Sequence, residues 1–233
     1  MIKQPRPSLV EIPEEIPGGR NLRDRIYAEL KRQILSGKVE PGEHMLEKNL
    51  CEQLNVSRTP LREALNQLGN EDLVVFRPHC GYLAAPLSSE EAQRLQELRR
   101  IVESKVASMA AIKANREQIK ELREAADMPA VEAGNDESFV EFCRANSRFH
   151  LLLVRIVDNH LLESIVMSSL DAYQRPAYLG IGRVTDHLKP TKCHHDIVDA
   201  IEARDHVKAE TVMCGHVIGG SERIIKALKE AGY

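Results

Sequence analysis

The sequence predicts a mainly α-helical protein made of two bodies, a small N-terminal unit of three helices and a β-hairpin, and a larger all-helical C-terminal bundle. Three observations support this prediction. Apolar residues recur every three or four positions along most of the chain after residue 20. One β-rich run, EDLVVFRPHCGYLAAP, interrupts that pattern. The helical pattern then resumes and continues nearly to the last of the 233 residues.

The composition is typical of a helix-rich globular protein. The chain is 42% hydrophobic, 29% charged and only 4% aromatic, which suits one or two domains with a sizeable core. No apolar run approaches the length of a membrane span, and the N-terminal segment is too rich in proline and acid for a signal peptide. Five cysteines without a C-x-x-C pair do not indicate a disulfide framework. We therefore expect a cytoplasmic protein with reduced thiols and no membrane partner.

The N-terminal unit follows a proline-rich segment. Residues 1–20 contain four prolines and are expected to form a flexible arm. A first helix is marked by four apolar residues spaced four apart, Leu22, Ile26, Leu30 and Ile34. It ends at SGKVEPGE, whose glycines and proline break a helix. A short second helix, MLEKNLCEQLN, then leads through a turn at Asn55 into the segment NVSRTPLREAL.

The third helix carries the most informative pattern of this unit. Its inward stripe consists of Leu61, Ala64, Leu65 and Leu68. Arg58 and Arg62 lie one turn apart on another face of the helix. Either Ser57 or Thr59 can cap the first turn, and Pro60 suits a position inside that turn. Three helices followed by a two-stranded wing make a winged helix-turn-helix, whose third helix enters the DNA major groove. Because the net charge is -3, a DNA contact has to come from such a local basic patch.

The segment NVSRTPLREALNQLGNEDLVVFRPHCGYL closely resembles the signature of GntR-type bacterial transcription regulators, and the resemblance runs over residues 22–85. It implies contacts to bases or phosphates by Lys48, Arg58, Thr59 and Arg62. It also implies that Gly81 at the wing tip approaches the minor groove, with His79 as a further candidate. The alternative is that the arginines of the third helix merely solvate its surface.

The second body begins near residue 88. Its helical pattern divides into six or seven segments, with breaks near DMPAVEAGND, DNH, YLGIG and HLKPTK. Such a length forms a bundle of its own, and Ser88 or Ser89, followed by two glutamates, is a good helix start. The predicted organisation is a flexible arm over 1–20, a winged helix-turn-helix domain over 21–86, a linker over 87–90 and a helical domain over 91–233.

Three histidines of the bundle are candidate metal ligands. His150 lies four residues after Asn146, so both side chains share one helix face. His194 and His216 lie on two other predicted helices, and imidazoles from separate helices of a bundle can converge on a divalent metal. Spacing alone is a weak signal, because a lone histidine on a helix is more often a surface or core residue.

The stretches LRRIVESKVASMAA, SRFHLLLVRIVDNHLLESI and HHDIVDAIEARDHVKAETVMCGH resemble the FCD domain, the helical effector domain of FadR-type GntR regulators. The resemblance implies a metal site formed by His150, His194 and His216, with an acidic residue at the position held here by Asn146. An asparagine oxygen is neutral and binds a divalent cation less well. We expect zinc first, with nickel or manganese as alternatives, and a water or an effector carboxylate to complete the shell. The same domain is expected to form the dimer.

The resemblance also implies residues that contact an effector. Arg99 matches an arginine that faces the cavity and clamps a carboxylate, although its spacing from Glu103 equally predicts an ordinary helical ion pair. Asn159 matches a residue at a helix break near the same cavity. The alternative interpretation is that Asn159 is only a turn residue at a helix end. Tyr173 is a further candidate for the cavity wall.

Together the two bodies predict a ligand-responsive transcription regulator, and repression is the expected mode. We expect a homodimer that binds a palindromic operator in double-stranded DNA and is released by a small organic acid. The alternatives are an enzyme whose metal activates water at the three histidines, and an FCD sensor without metal. The sequence contains no H-E-x-x-H motif, and no acid/base glutamate is evident beside the three histidines. The prediction is therefore a regulator and not an enzyme.

Overall fold

The computed structural model describes residues 21–35, 37–132, 136–181 and 191–233. The predicted flexible arm, residues 1–20, lies outside these ranges. The chain forms two compact units that divide between Leu87 and Ser88. Each unit has a hydrophobic core of its own.

The N-terminal unit contains three helices and a hairpin, as the sequence predicts. Its elements are α1 (Leu22–Leu35), α2 (Glu47–Leu54), α3 (Arg58–Asn70), β1 (Val74–Arg77) and β2 (Gly81–Ala84). Asn55 ends α2 in the left-handed conformation, with φ 51°, and turns the chain into α3. The predicted inward stripe of α3 is fully buried, and it packs with the apolar side of α1 in one core. Each such buried leucine contributes about 1.5–3 kcal/mol relative to an exposed one.

The start of α3 differs from the prediction in one contact. Ser57 occupies the N-cap position with an extended backbone, but its side chain makes no capping hydrogen bond. Thr59 lies already inside the helix. The start of α3 is therefore not fixed by a side-chain cap at Ser57.

The hairpin is antiparallel and tied to α3. Its register pairs Val74 with Ala84 and Arg77 with Gly81, so the residues between Arg77 and Gly81 form the turn. The Tyr82 hydroxyl donates a hydrogen bond of 2.9 Å to the side-chain oxygen of Asn66 on α3. The wing is thus held against the third helix by a polar contact as well as by the core.

The C-terminal unit is a bundle in which the described residues form six helices. They are α4 (Ser89–Lys113), α5 (Arg116–Ala125), α6 (Asp136–Val157), α7 (His160–Ile181), α8 (Thr191–Glu202) and α9 (His206–Glu230). Ser88 is the cap of α4, where its hydroxyl accepts a hydrogen bond of 3.1 Å from the amide of Glu91. Residues 89 and 90 of the predicted linker over 87–90 therefore lie in the first turn of α4.

The core of this bundle brings α4, α6, α8 and α9 together. The largest fully buried side chains in it include Phe149, Leu153, Ile197, Ile201 and Met213. The residues that α4 contributes to this core are Val106 and three alanines, Ala107, Ala110 and Ala111, whose small side chains let neighbouring helices approach closely. Among the described residues, no helix combines the length and the apolar character that crossing a bilayer requires.

Candidate metal centre, effector cavity and nucleic-acid interface

The predicted DNA contacts of the N-terminal unit lie on its surface. The four predicted contact residues on α2 and α3 all have exposed side chains, namely Lys48, Arg58, Thr59 and Arg62. Arg62 is held in place, because its Nε donates a hydrogen bond of 2.8 Å to a carboxylate oxygen of Glu47 on α2. The pair is exposed and joins α2 to α3 on the surface that carries the predicted contacts.

The predicted wing contacts lie at the tip of the hairpin, with His79 in the turn and Gly81 as the first residue of β2. His79 is exposed with φ 67°, and Gly81 has φ 80°. A Cβ on Gly81 would meet no atom within 4 Å. The glycine is therefore required by its left-handed backbone conformation and not by crowding inside the protein.

Three histidines from three helices converge in the bundle. His150 of α6, His194 of α8 and His216 of α9 form a cluster whose candidate ligand atoms all lie within 4.8 Å of one another. The Nε2 atom of His216 is 3.2 Å from that of His194 and 3.3 Å from that of His150. His150 and His194 are buried, and His216 is half-buried. The structure therefore brings the predicted triad together.

The electrostatics of this cluster suit a divalent cation. Burial and the neighbouring imidazoles hold the pKa of His194 well below its usual range. Burial, and then the charge of His150, lower the pKa of His216 to about 3. These two imidazoles are neutral at pH 7, and facing Nε2 atoms repel one another unless a proton or a cation lies between them. Neutral imidazoles aimed at one point are the donor set of a zinc-type site, so the residues fit a metal.

A buried glutamate stands behind the triad. One carboxylate oxygen of Glu103 on α4 lies 2.5 Å from His150 Nδ1, and the other accepts a hydrogen bond of 2.6 Å from Arg99 Nε. Burial alone would raise the pKa of Glu103, but the charges of Arg99 and His150 hold it well below its usual range. A carboxylate at Nδ1 keeps the proton there and leaves the Nε2 lone pair of His150 facing the cluster.

No acid/base glutamate was evident beside the histidines in the sequence, and the structure places the paired carboxylate of Glu103 in contact with His150. Glu103 and His150 are far apart in the chain, so no spacing rule connects them. The only sign of this contact in the sequence was the acidic partner of Arg99 in the predicted ion pair. Their spacing is also that of an ion pair on an ordinary surface helix, so it did not indicate a buried site. Both side chains of that pair are only 3% exposed, and a buried ion pair calls for further partners.

A cavity of about 130 Å³ adjoins the triad. It is lined by four of the predicted site residues, Arg99, Asn146, Tyr173 and His216. Both features predicted for Arg99 are present, because it is paired with Glu103 and it also lines the cavity. Its guanidinium carbon lies 4.1 Å from the centre of the Tyr173 ring. Asn146 is half-buried, one turn before His150 on α6.

Asn159 does not reach this cavity. It is exposed just before α7, and its side-chain oxygen accepts hydrogen bonds from the amides of Leu161 and Leu162, at 3.1 and 3.3 Å. It is absent from the residues that line the cavity. The structure thus supports the alternative interpretation of Asn159 as a helix-end residue.

Sequence reasoning missed several residues of the cavity wall. Arg223 lines it from α9, as do Cys143 and Ser147 from α6. Burial raises the pKa of Cys143 to about 12, so this thiol stays neutral and is a poor metal ligand. The signal for Arg223 was its spacing, because it follows His216 by seven residues and therefore shares its helix face.

Comparison with known proteins agrees with this architecture. Residues 22–83 match the gntR family of bacterial regulatory proteins, and residues 94–219 match the FCD domain. The HTH-type transcriptional repressor RspR of Escherichia coli K12 is 26% identical over 209 residues, which cover 90% of this chain and 91% of that protein. The galactonate operon transcriptional repressor of the same organism is 27% identical over 228 residues, covering 88% of this chain and 97% of that protein.

Among solved structures, E. coli McbR/YncC has the same fold. It superposes with a TM-score of 0.68 at 18% identity, covering 89% of this chain and 99% of that one. The winged unit, the helical bundle and both sequence matches lead to one conclusion. This chain belongs to the gntR family of bacterial regulatory proteins, and its C-terminal unit is an FCD domain.

Proposed function

We propose that this protein is a transcription regulator that binds operator DNA as a homodimer and responds to a small organic acid. The observation that carries the proposal is the cavity of the FCD unit, in which a buried arginine and a histidine of the triad line the same space. An arginine beside a metal ligand suits a carboxylate, because the guanidinium donates paired hydrogen bonds and a cation attracts the same group. The exposed arginines of α3 supply the contacts to DNA.

His150, His194 and His216 would hold a divalent cation, with zinc the first candidate and nickel and manganese the alternatives. Three neutral nitrogen ligands and no thiolate favour zinc or nickel over manganese, which prefers oxygen. Asn146 is the candidate for an additional, neutral oxygen ligand. When bound, the metal supplies positive charge at the edge of the cavity. Glu103 orients His150 and balances Arg99, which keeps both side chains in position for the ligand.

Repression is the proposed mode of action. Two relatives that align with most of this chain carry the word repressor in their names. One of them is named for a galactonate operon, and galactonate is a carboxylate, which is the ligand class that the cavity suits. Binding of the acid to the FCD unit would shift the dimer towards an arrangement that no longer fits a palindromic operator.

An enzymatic role is the weaker candidate. A hydrolytic metal site needs a free base near the bound water. The carboxylate beside the triad is that of Glu103, which is buried and already contacts both Arg99 and His150. A sensor without metal is the other alternative, in which Nε2 protons of neutral imidazoles would link the triad by hydrogen bonds.

The test is a screen of organic acids for thermal stabilisation of the zinc-loaded protein. We expect at least one acid to raise the melting temperature, and we expect Arg99→Lys to lose most of that gain because a lysine cannot donate the paired hydrogen bonds. Lys226→Gln, which removes a cation from an exposed position of α9 outside the cavity, is the control. Stabilisation that is unchanged in Arg99→Lys and in metal-free protein would contradict the proposal.

A further inference from the structure

A second arginine lines the effector cavity. Arg223 lies on α9 two turns after His216, on the same face of the helix. Its Nε donates a hydrogen bond of 3.1 Å to the carbonyl of Gly219. Its two terminal nitrogens have no hydrogen-bond or ion-pair partner within the part of the chain that the structure describes. These donors are available to a ligand.

The charges around the cavity are unbalanced. The described residues that line it include two arginines and no aspartate or glutamate. Glu103 balances Arg99 from behind, so the positive charge of Arg223 has no carboxylate opposite it in the cavity wall. A ligand with a single carboxylate, held at Arg99 and the triad, would leave Arg223 without an anion. Arg223 is exposed, so water solvates its charge in the absence of ligand, and a second anionic group on a ligand would replace that water with a charged hydrogen bond.

The spacing of the two positive positions defines the length of the ligand. The hydrogen bond to the carbonyl of Gly219 turns the Arg223 side chain back along α9. Gly219 follows His216 by three residues, which corresponds to about 4.5 Å along the helix axis. The cavity wall includes the apolar side chains of Leu170, Ala177 and Val217. An axial offset of this size, beside apolar side chains, suits a short chain of methylene groups.

The size of the cavity sets an upper limit. Its volume is about 130 Å³. Because a water molecule needs about 10–15 Å³ of such space, the cavity accommodates roughly ten non-hydrogen atoms. Glutarate and adipate are of this size, whereas a long acyl chain is too large.

We propose that the effector is a short linear dicarboxylate, with one carboxylate at Arg99 and the three-histidine cluster and the other at Arg223. This inference rests on the proposed function, in which the cavity binds an organic acid, and it names the class of that acid. Arg223 is then the residue that distinguishes a diacid from a monoacid.

The experiment compares each diacid with its own monomethyl ester, which has nearly the same length and one charge less. Isothermal titration calorimetry on the zinc-loaded full chain would use succinate, glutarate and adipate and their three esters, at about 0.15 M ionic strength. The variants are Arg223→Gln, which removes the charge, and Lys226→Gln, the control defined above. Lys226 has a 78% exposed side chain and does not line the cavity.

We expect the wild-type chain to bind its preferred diacid about fivefold to tenfold more tightly than the matching ester, the size of one partly exposed charged hydrogen bond. Arg223→Gln should lose this preference and keep its affinity for the ester, and Lys226→Gln should behave as the wild type. A preference that persists in Arg223→Gln, or an ester that binds the wild type as tightly as its diacid, would overturn the inference while leaving the proposed function intact. If neither diacids nor esters bind and a different monoacid does, the inference is again overturned. If no acid of any kind binds, the proposed function fails as well.

Discussion

At the scale of single residues, Glu103 links the two halves of the candidate site. It contacts the metal-ligand candidate His150 with one oxygen and the effector-binding candidate Arg99 with the other. A buried carboxylate in this position has two effects. It fixes the tautomer of the imidazole, and its negative charge offsets the desolvation cost of burying the arginine.

We therefore predict that Glu103→Gln weakens zinc binding by about tenfold to a hundredfold, the usual effect of removing a carboxylate behind a metal-bound histidine. The variant should also melt at a lower temperature, because Arg99 loses its counter-charge. Chelator competition at pH 7 measures the zinc affinity. Leu122→Ala, a core truncation on α5, serves as a control for general destabilisation. Equal zinc affinities in Glu103→Gln and the wild type would show that Glu103 has no role at the metal.

Asn146 is a second residue whose charge state matters. If its side-chain oxygen contacts the metal, Asn146→Asp adds a negative charge next to a divalent cation, so the chain should hold zinc more tightly. The same charge should weaken the binding of an effector carboxylate. Chelator competition gives the first quantity and calorimetry with the best acid from the screen gives the second. Asn146→Ala is the matched control, and zinc affinities that are the same in all three proteins would remove Asn146 from the ligand set.

The buried histidines predict an acid-sensitive fold in the metal-free protein. His216 has a pKa lowered to about 3, against about 6.5 in the unfolded chain, and the pKa of His194 is lowered in the same direction. Between these pH values the unfolded chain binds more protons than the folded one, so stability falls as pH decreases from about 6.5 towards 3. The slope contributed by each histidine is about 1.4 kcal/mol per pH unit.

Urea unfolding of metal-free protein at several pH values between 7 and 4 would measure this slope. His216→Gln should show a smaller loss of stability over the same interval, because glutamine does not titrate. An identical pH dependence in both proteins would mean that folding does not lower the pKa of His216.

At the scale of the elements, α3 is the helix that we predict to contact operator DNA. Arg58 and Arg62 are exposed and lie off the apolar stripe, so replacing them leaves the core intact. We predict that Arg58→Ala and Arg62→Ala each weaken operator binding by about 1–3 kcal/mol, if each loses a bidentate contact to a base. Fluorescence anisotropy with a labelled operator measures the affinity. Arg23→Ala on α1 is the control, and operator affinities that are unchanged in both α3 variants would exclude α3 as the recognition helix.

The elements themselves could be predicted from the sequence because their signals are local. The period of the leucines in α3, the breaks at Gly37 and Pro41, and the hairpin tip before Gly81 all lie within a few residues of the structure that they specify. The positions of the three histidines on separate helices made them candidate ligands, and resemblance to a family strengthened that prediction. Their spacing alone contained no sign that three helices would meet.

The contacts that were not predicted depend on tertiary packing. Glu103 meets His150 because α4 and α6 pack together, and no pattern within either helix specifies that distance. Asn159 was placed near the cavity by resemblance, but the preference of asparagine for helix caps determines its contacts here. Arg223 reaches the cavity because α9 contributes one wall over two full turns.

At the scale of the whole molecule, the chain divides into a DNA-binding candidate and a sensor candidate, each with a separate core. A substitution in the cavity should therefore leave the core of the winged unit intact. This separation allows the central claim to be tested in a single titration.

That measurement is the operator affinity of the zinc-loaded full chain, with and without the acid that gives the largest thermal stabilisation, in the wild type and in His194→Ala. We predict that the acid weakens operator binding by about fivefold or more in the wild type, within the usual range of coupling between two sites. His194→Ala should bind the operator equally well with and without the acid. An acid that leaves the wild-type affinity unchanged, or that releases His194→Ala from the operator to the same extent, would contradict the account.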